Sequence, residues 1–229
     1  MKLSPRLECV ARHVDQGIVV ADIGTDHAYI PIYLIEKNIS SLIYACDIGV
    51  GPLEMAKKQI NNAGLSDKII PLLGEGLDPV KSFKIGNIII AGMGGILIRN
   101  IIKQNIEMAY SVDKLILQPM IAQDEVRRYL LHHGFKIVEE DLAKEDRRIY
   151  QIIVAQKGVM QFDKEIYYDI GYDLVRKKHP LLKELIASHR NRLDKIIHEC
   201  KKETTYNAFY KIKDCEKKLN ELREVENVI

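Results

Sequence analysis

The chain is predicted to fold as an α/β protein: a seven-stranded, mostly parallel sheet followed by a helical hairpin of coiled-coil character. Three observations carry that prediction. Apolar, β-branched runs alternate with helical patterns over roughly the first two thirds of the chain, and three of those runs end on glycine or aspartate. From about Phe162 the strand pattern stops, and charged residues interleave with apolar ones at helical spacing.

Taken in order, Ser4-Pro5 is a favourable N-cap and first-turn pair, and Leu7, Val10, Ala11 and Val14 share one face, so residues 4–14 form a short amphipathic helix. Strands are predicted over 18–22, 42–46, 68–73, 86–91, 113–118, 135–142 and 148–156. Helices fall between them over 28–37, 51–63, 94–108 and 123–133, with Gly64 and Gly134 suited to helix ends. Such alternation implies a mostly parallel sheet with helices on both faces. Only Lys144-Glu145-Asp146-Arg147 separates the last two strands, too short a link for a crossover, so that pair is antiparallel. Beyond it, Leu182, Ile186, His189, Leu193, Ile196 and Cys200 form one heptad-type seam, and Ala208, Ile212, Cys215, Leu219 and Leu222 form another. The capping residues of Glu203-Thr204-Thr205-Tyr206-Asn207 lie between them, which fits an antiparallel hairpin. Two domains are expected, 1–160 and 161–229.

The formal net charge of +2 conceals an uneven distribution. Residues 1–159 hold 19 basic and 19 acidic side chains, whereas 176–202 hold 9 basic and 3 acidic. Cys9, Cys46, Cys200 and Cys215 show no C-x-x-C spacing, so no metal is expected. The first residues lack the apolar core of a signal peptide, and no apolar stretch approaches the ~20 residues that span a bilayer. A cytoplasmic protein with reduced thiols and no membrane association is expected.

The strand ends carry the chemistry. In open parallel sheets ligands bind beyond the carboxyl ends of the strands. Asp22-Ile23-Gly24-Thr25-Asp26-His27 opens as a nucleotide-cofactor turn does, but Asp26 and Tyr29 stand where a dinucleotide loop needs its second and third glycines. An acid there repels a pyrophosphate and tolerates a cofactor that carries a sulfonium and an ammonium, which points to S-adenosylmethionine rather than NAD. Asp47, followed by Ile48, ends the second strand and suits a ribose diol. Gly74-Glu75-Gly76 is either an adenine-edge loop or an ordinary turn, and Gly92-Met93-Gly94 either underlies the cofactor's methionine moiety or is a simple tight turn.

Together D-I-G-T-D-H-A-Y-I-P, C-D-I-G-V-G-P, A-G-M-G-G and L-I-L-Q-P-M resemble the bacterial tRNA (adenine-22-N1)-methyltransferase family over essentially the whole chain. The resemblance implies a Rossmann-like class I methyltransferase fold, S-adenosylmethionine as methyl donor, N1 of a D-arm adenine as acceptor, and a C-terminal coiled-coil-like domain that helps to bind tRNA. It puts Asp22, Gly24, Thr25 and Asp26 at the cofactor turn, Asp47 at the ribose, and Gly92, Met93 and Gly94 at the fourth strand end.

Adenine N1 already has a lone pair, so methyl transfer needs alignment and electrostatic help more than proton removal. An acceptor for the adenine amino group raises N1 nucleophilicity. Asp26 ranks first for that role, Gln118 second and His27 third, against a helix cap at Asp26, a structural turn at Gln118 and a hydrogen-bonded rim histidine at His27. The target base must leave its pair to react, and Tyr29 and Tyr150 are the candidates to receive it. Arg176, Lys177, Lys178, Lys183, Arg190, Arg192 and Lys195 form the candidate phosphate-binding stretch. Two alternatives are weighed against this reading: a catalytically silent RNA-binding protein on the same scaffold, and a nicotinamide-dependent oxidoreductase, which Asp26 and the missing glycines disfavour.

Overall fold

The computed structural model describes residues 1–203 and 205–229, and among them the chain forms two compact units, Met1–Met160 and Gln161–Ile229. In the first, seven strands build one sheet: β1 (Ile18–Ile23), β2 (Ser40–Asp47), β3 (Ile69–Leu73), β4 (Asn87–Met93), β5 (Lys114–Pro119), β6 (Phe135–Glu145) and β7 (Arg148–Lys157). Their order is β3-β2-β1-β4-β5-β7-β6. The first five pair in parallel, while β7 lies antiparallel between β5 and β6. The short link between β6 and β7 enforces that reversal, because a tight connection returns a strand beside its predecessor.

Helices α1 (Pro5–Arg12), α2 (Tyr29–Glu36), α3 (Val50–Asn62), α4 (Gly95–Gln104), α5 (Ile106–Ser111) and α6 (Gln123–His132) flank the strands. The central strands are apolar on both faces: Val20, Ile89, Ile116 and Val154 on one, and Ala21, Ile90, Leu117 and Ile153 on the other, are all fully buried. That is the signature of a covered sheet rather than a half-solvated one. Beneath the β6–β7 ladder, Arg127 of α6 donates to Glu140 at 2.7 Å and to Gln151 at 2.7 Å, with no exposure of either charged side chain.

Two predicted helices differ in their bounds. The helix expected from residue 28 begins at Tyr29, because His27 and Ala28 adopt left-handed backbone angles with φ of 56° and 54°. The helix expected over 94–108 divides at Asn105, whose φ of −129° and ψ of 44° interrupt it. At the N-terminus Ser4 caps by position only, since its hydroxyl donates to Glu145 at 3.1 Å instead of accepting from the helix.

The second unit holds α7 (Ile166–Ile170), α8 (Tyr172–Arg176), α9 (Leu182–Cys200) and α10 (Tyr206–Glu226). The long helices α9 and α10 pack together, burying Leu182, Ile186, Leu193, Ala208, Cys215, Leu219 and Leu222. Thr205 caps α10 through its hydroxyl, which accepts from the Ala208 N–H at 3.2 Å. Thr204, one of the expected capping residues, lies outside the described residues.

Candidate active site

The chain reverses its outward march between β1 and β4, and open α/β sheets bind ligands at the strand ends beside such a switch point. Here the turn after β1 meets the end of β4. Gly24 has φ +75°, a conformation that strains any residue with a Cβ, and a Cβ there would also push aside the Met93 methyl group 2.1 Å away. The Gly24 and Thr25 N–H groups both donate to the Cys46 carbonyl, at 2.8 and 2.9 Å, tying the turn to β2. Left-handed angles at His27 and Ala28 cost about 1–2 kcal/mol each for residues with a Cβ. Strain of this kind persists where the surroundings impose it, commonly at functional sites.

Two cavities open beyond these ends and share Gly24, Asp47 and Met93. The first, about 300 Å³, is walled by Ile48, Gly74, Glu75 and Gly76 on one side and by Leu97 and Ile101 of α4 on the other. The second, about 370 Å³, is walled by Asp22, Asp26, Tyr29, Gly92 and Arg6.

Asp47 stands at the junction. Its Oδ1 accepts the Gly49 N–H at 2.7 Å, which fixes the carboxylate and leaves Oδ2 without a protein partner among the described residues. Asp22 is buried, and burial pushes its carboxyl up to about 6; the Thr25 hydroxyl beside it opposes the rise and the Asp47 charge adds to it. Burial, with Asp22 and Asp47 nearby, likewise pushes the Cys46 thiol up to about 12, so it lines the first cavity as a small apolar group.

Most of the predicted strand-end residues thus gather on two adjoining walls. Thr25, His27, Gly94 and Gln118 stand outside them. Thr25 is buried against Asp22, and Gly94 is the N-cap residue of α4. His27 lies 3.3 Å from Asp26 and stacks on Tyr29 with ring centroids 5.4 Å apart. Asp26 itself is exposed and caps no helix.

Gln118 requires a correction to its expected contact with the adenine. Its side chain has no exposure; Oε1 accepts from Arg6 at 2.7 Å and from the Gly92 N–H at 3.1 Å, while Nε2 donates to the Pro119 carbonyl at 3.1 Å. An amide engaged at both ends presents nothing to a substrate. It orients Arg6 instead.

Arg6 is the functional candidate that sequence reasoning missed. It sits 5.5 Å from the Tyr150 ring centroid and 3.9 Å from Glu145, and it is the cation among the walls of the second cavity. Its place depends on α1 packing against β5, β6 and β7, a tertiary fact with no local signal. The α4 wall did have one: Leu97, Asn100, Ile101 and Gln104 recur at i, i+3, i+4 and i+7, a single helix face following a strand-end glycine pair. Gly95, the second of that pair, is also constrained, since a Cβ there would lie 2.1 Å from the Ala122 carbonyl oxygen.

In the second unit the basic stretch is less free than its composition implied. Arg176 and Lys177 pair with Asp173 at 2.6 and 3.3 Å, Arg192 with Asp169 at 3.6 Å, and Arg190 with Glu226. All three of these acids lie outside residues 176–202, beyond the basic stretch itself. Lys178, Lys183 and Lys195 are exposed and have no acidic partner among the described residues.

A seven-stranded sheet of this order, with one antiparallel strand wedged near its edge and an acidic, glycine-bounded pocket at its switch point, defines the class I S-adenosylmethionine-dependent methyltransferases. Residues 3–153 match the family described as a methyltransferase domain. The tRNA (adenine(22)-N(1))-methyltransferase of Bacillus subtilis is 37% identical over 169 residues, which is 74% of this chain and 69% of that protein. Streptococcus pneumoniae Sp1610, solved in complex with S-adenosyl-L-methionine, is 31% identical and superposes with a TM-score of 0.87 over 98% of this chain and 99% of its own. Mycoplasma capricolum TrmK, solved with S-adenosyl-homocysteine, is 27% identical with a TM-score of 0.86 over 100% of both chains. The chain belongs to the tRNA (adenine(22)-N(1))-methyltransferase family.

Proposed function

We propose that this protein transfers a methyl group from S-adenosylmethionine to N1 of adenine 22 in the tRNA D-arm, in the cytoplasm. The observation that carries the reading is the pair of adjoining cavities meeting at Asp47, walled by acids and left without glycine where a pyrophosphate would need it. When bound, the cofactor supplies an electrophilic methyl group on a sulfonium.

The residues divide between its two ends. Asp47 Oδ2 accepts from the ribose hydroxyls; Ile48, Gly74, Glu75 and Gly76 face the adenine ring across from Leu97 and Ile101. Buried Asp22 accepts from the ammonium of the methionine moiety, beside Gly24, Gly92 and Met93. On the acceptor side, Asp26 accepts from the adenine amino group and opposes the positive charge that grows on the ring as N1 is alkylated. Tyr29, exposed at the same wall, stacks on the extruded base. Arg6, oriented by Gln118, takes a phosphate of the strand that carries the base. Gln118 is a positioning residue and His27 buttresses Asp26 and Tyr29. Lys178, Lys183 and Lys195 supply phosphate contacts, with Arg176, Lys177, Arg190 and Arg192 contributing as far as their carboxylate partners release them.

The test is a methylation assay with methyl-labelled S-adenosylmethionine and unmodified tRNA, followed by digestion and identification of the labelled nucleoside. 1-Methyladenosine at position 22 is expected; N6-methyladenosine, or no label in the presence of bound cofactor, would overturn the proposal. Asp26→Asn is expected to lower turnover more than tRNA affinity, because the amide keeps the shape and loses the charge.

A further inference from the structure

The N-terminal helix brings together three side chains that the methyl-transfer site does not use. Cys9 and His13 lie one helical turn apart at the end of α1, and Asp141 rises from β6, against which α1 packs. One ligand-type atom from each, a thiol sulfur, a ring nitrogen and a carboxylate oxygen, lies within 4.8 Å of the other two. Cys9 is fully buried and His13 is 7% exposed, so this is an interior cluster and not a chance meeting of surface acids.

His13 is the second and independent sign. Its Nδ1 lies 3.2 Å from Glu139, which projects from the same face of β6 as Asp141, two residues on. With Nδ1 beside that carboxylate, Nε2 is the ring nitrogen that faces the rest of the cluster. Nε2 is buried, makes no hydrogen bond, and points toward Asp141 Oδ2 at 3.5 Å. Asp141 Oδ1 accepts the Leu142 N–H at 2.8 Å, an anchor that turns Oδ2 to the histidine. An imidazole with one nitrogen beside a carboxylate and the other facing a second carboxylate, in a cluster that also holds a thiol, has the arrangement of a metal-binding histidine with its outer partner in place.

We propose that Cys9 Sγ, His13 Nε2 and Asp141 form a binding site for one divalent zinc-like ion, with a solvent molecule as fourth ligand. A mixed sulfur, nitrogen and oxygen set selects zinc over magnesium or calcium, which take oxygen ligands. Charge also balances. The thiolate and the Asp141 carboxylate neutralise the dication, and Arg12 and Glu139 flank the site with opposite signs. Binding as the thiolate displaces the Cys9 proton to solvent. A bound ion pins α1 to β6, and α1 carries Arg6 into the acceptor cavity.

The test uses the full chain, freed of metal under reducing conditions and titrated with Co²⁺ as probe. One equivalent of cobalt with a thiolate-to-metal charge-transfer band and tetrahedral ligand-field bands, displaced by Zn²⁺, is expected. Cys9→Ala is expected to lose the charge-transfer band, and Cys200→Ser to keep it. Glu139→Gln alters a half-exposed side chain, so it gives an answer even where Cys9→Ala fails to fold: the band stays and cobalt affinity falls about 10-fold or more. Absence of the band in the parent, its survival in folded Cys9→Ala, its loss in Cys200→Ser, or unchanged affinity in Glu139→Gln would each overturn the site.

Discussion

The strand-end cavities and the helical unit solve opposite electrostatic problems. Asp22, Asp26, Asp47 and Glu75 wall the cavities with Arg6 as their cation, whereas α8 and α9 present lysines and arginines to solvent. A cofactor bearing a sulfonium and an ammonium is held by negative potential, and a polyanion by positive potential. One surface cannot serve both, because at the ~8 Å screening length of physiological salt the two fields would cancel. On the proposed function, giving each its own folding unit removes the conflict, and the basic excess is confined to residues 176–202.

The largest effect that this contrast predicts comes from deleting one side of it. A chain ending at Met160 keeps the sheet, both cavities and the compact unit that contains them. It is expected to bind S-adenosylhomocysteine with parent affinity by calorimetry while tRNA methylation falls to background. Methylation that survives the truncation would place the phosphate-binding cations on the first unit and break the comparison.

Next in size is the acidic side. Asp47→Ala removes an acceptor whose other oxygen already holds a backbone N–H, so the expected loss of cofactor affinity is ~1–3 kcal/mol, about 5- to 150-fold. The tRNA affinity of the same variant should not move. A parallel loss of both would mean that the mutation disturbs the fold, which circular dichroism would register.

The acidic side was largely legible in the sequence, and its neighbours were not, for a physical reason. Asp22, Gly24, Asp47, Gly74 and Gly76 follow β-branched runs directly, and a parallel sheet brings the ends of such runs to one edge. Arg6 and Gln118 meet across the fold through the packing of α1, so neither the clamp nor the burial that disables Gln118 as a base contact had a local signature. The left-handed pair His27 and Ala28 delayed α2 by one residue, because propensity favours helix at alanine and only tertiary constraint holds it elsewhere. Likewise the Asp169, Asp173 and Glu226 partners of the basic stretch lie outside residues 176–202, and only the folded chain brings them to it.

A smaller effect sharpens the contrast through pH. The buried Asp22 carboxyl titrates near 6 against an ordinary 3.8. Between those values the cofactor-free folded state binds a proton that the unfolded state has released, so its stability falls as pH rises from about 4 to 6. A bound ammonium favours the carboxylate and must expel the proton below pH 6. Cofactor affinity is therefore expected to drop about 10-fold between neutral pH and pH 5, with one proton released per cofactor bound at the lower pH, and to be flat in Asp22→Asn over that range. Calorimetry in buffers of different ionisation enthalpy measures both. A flat parent profile would remove Asp22 from the ammonium site.

The smallest expected effect isolates the basic side. Arg176, Lys177, Arg190 and Arg192 each have a carboxylate within ion-pair distance, so a phosphate arriving there gains a cation partly neutralised by its own chain. Replacing them removes a positive charge and exposes a negative one, which weakens RNA binding whether or not a phosphate was ever touched. Lys178, Lys183 and Lys195 avoid that ambiguity, since each is exposed and has no acidic partner among the described residues. The triple Gln variant of these lysines is expected to bind tRNA more weakly at low salt. The slope of log affinity against log salt should flatten by about 0.7–0.9 for each phosphate that is no longer neutralised, so by ~2 to 3 if all three lysines engage. Cofactor affinity should be unchanged in the same protein, because no residue of the cavities has been altered. An unchanged slope with weaker binding would mean that the lysines act only through long-range potential, and an unchanged slope with unchanged affinity would make this helix face a solvated surface with tRNA held elsewhere.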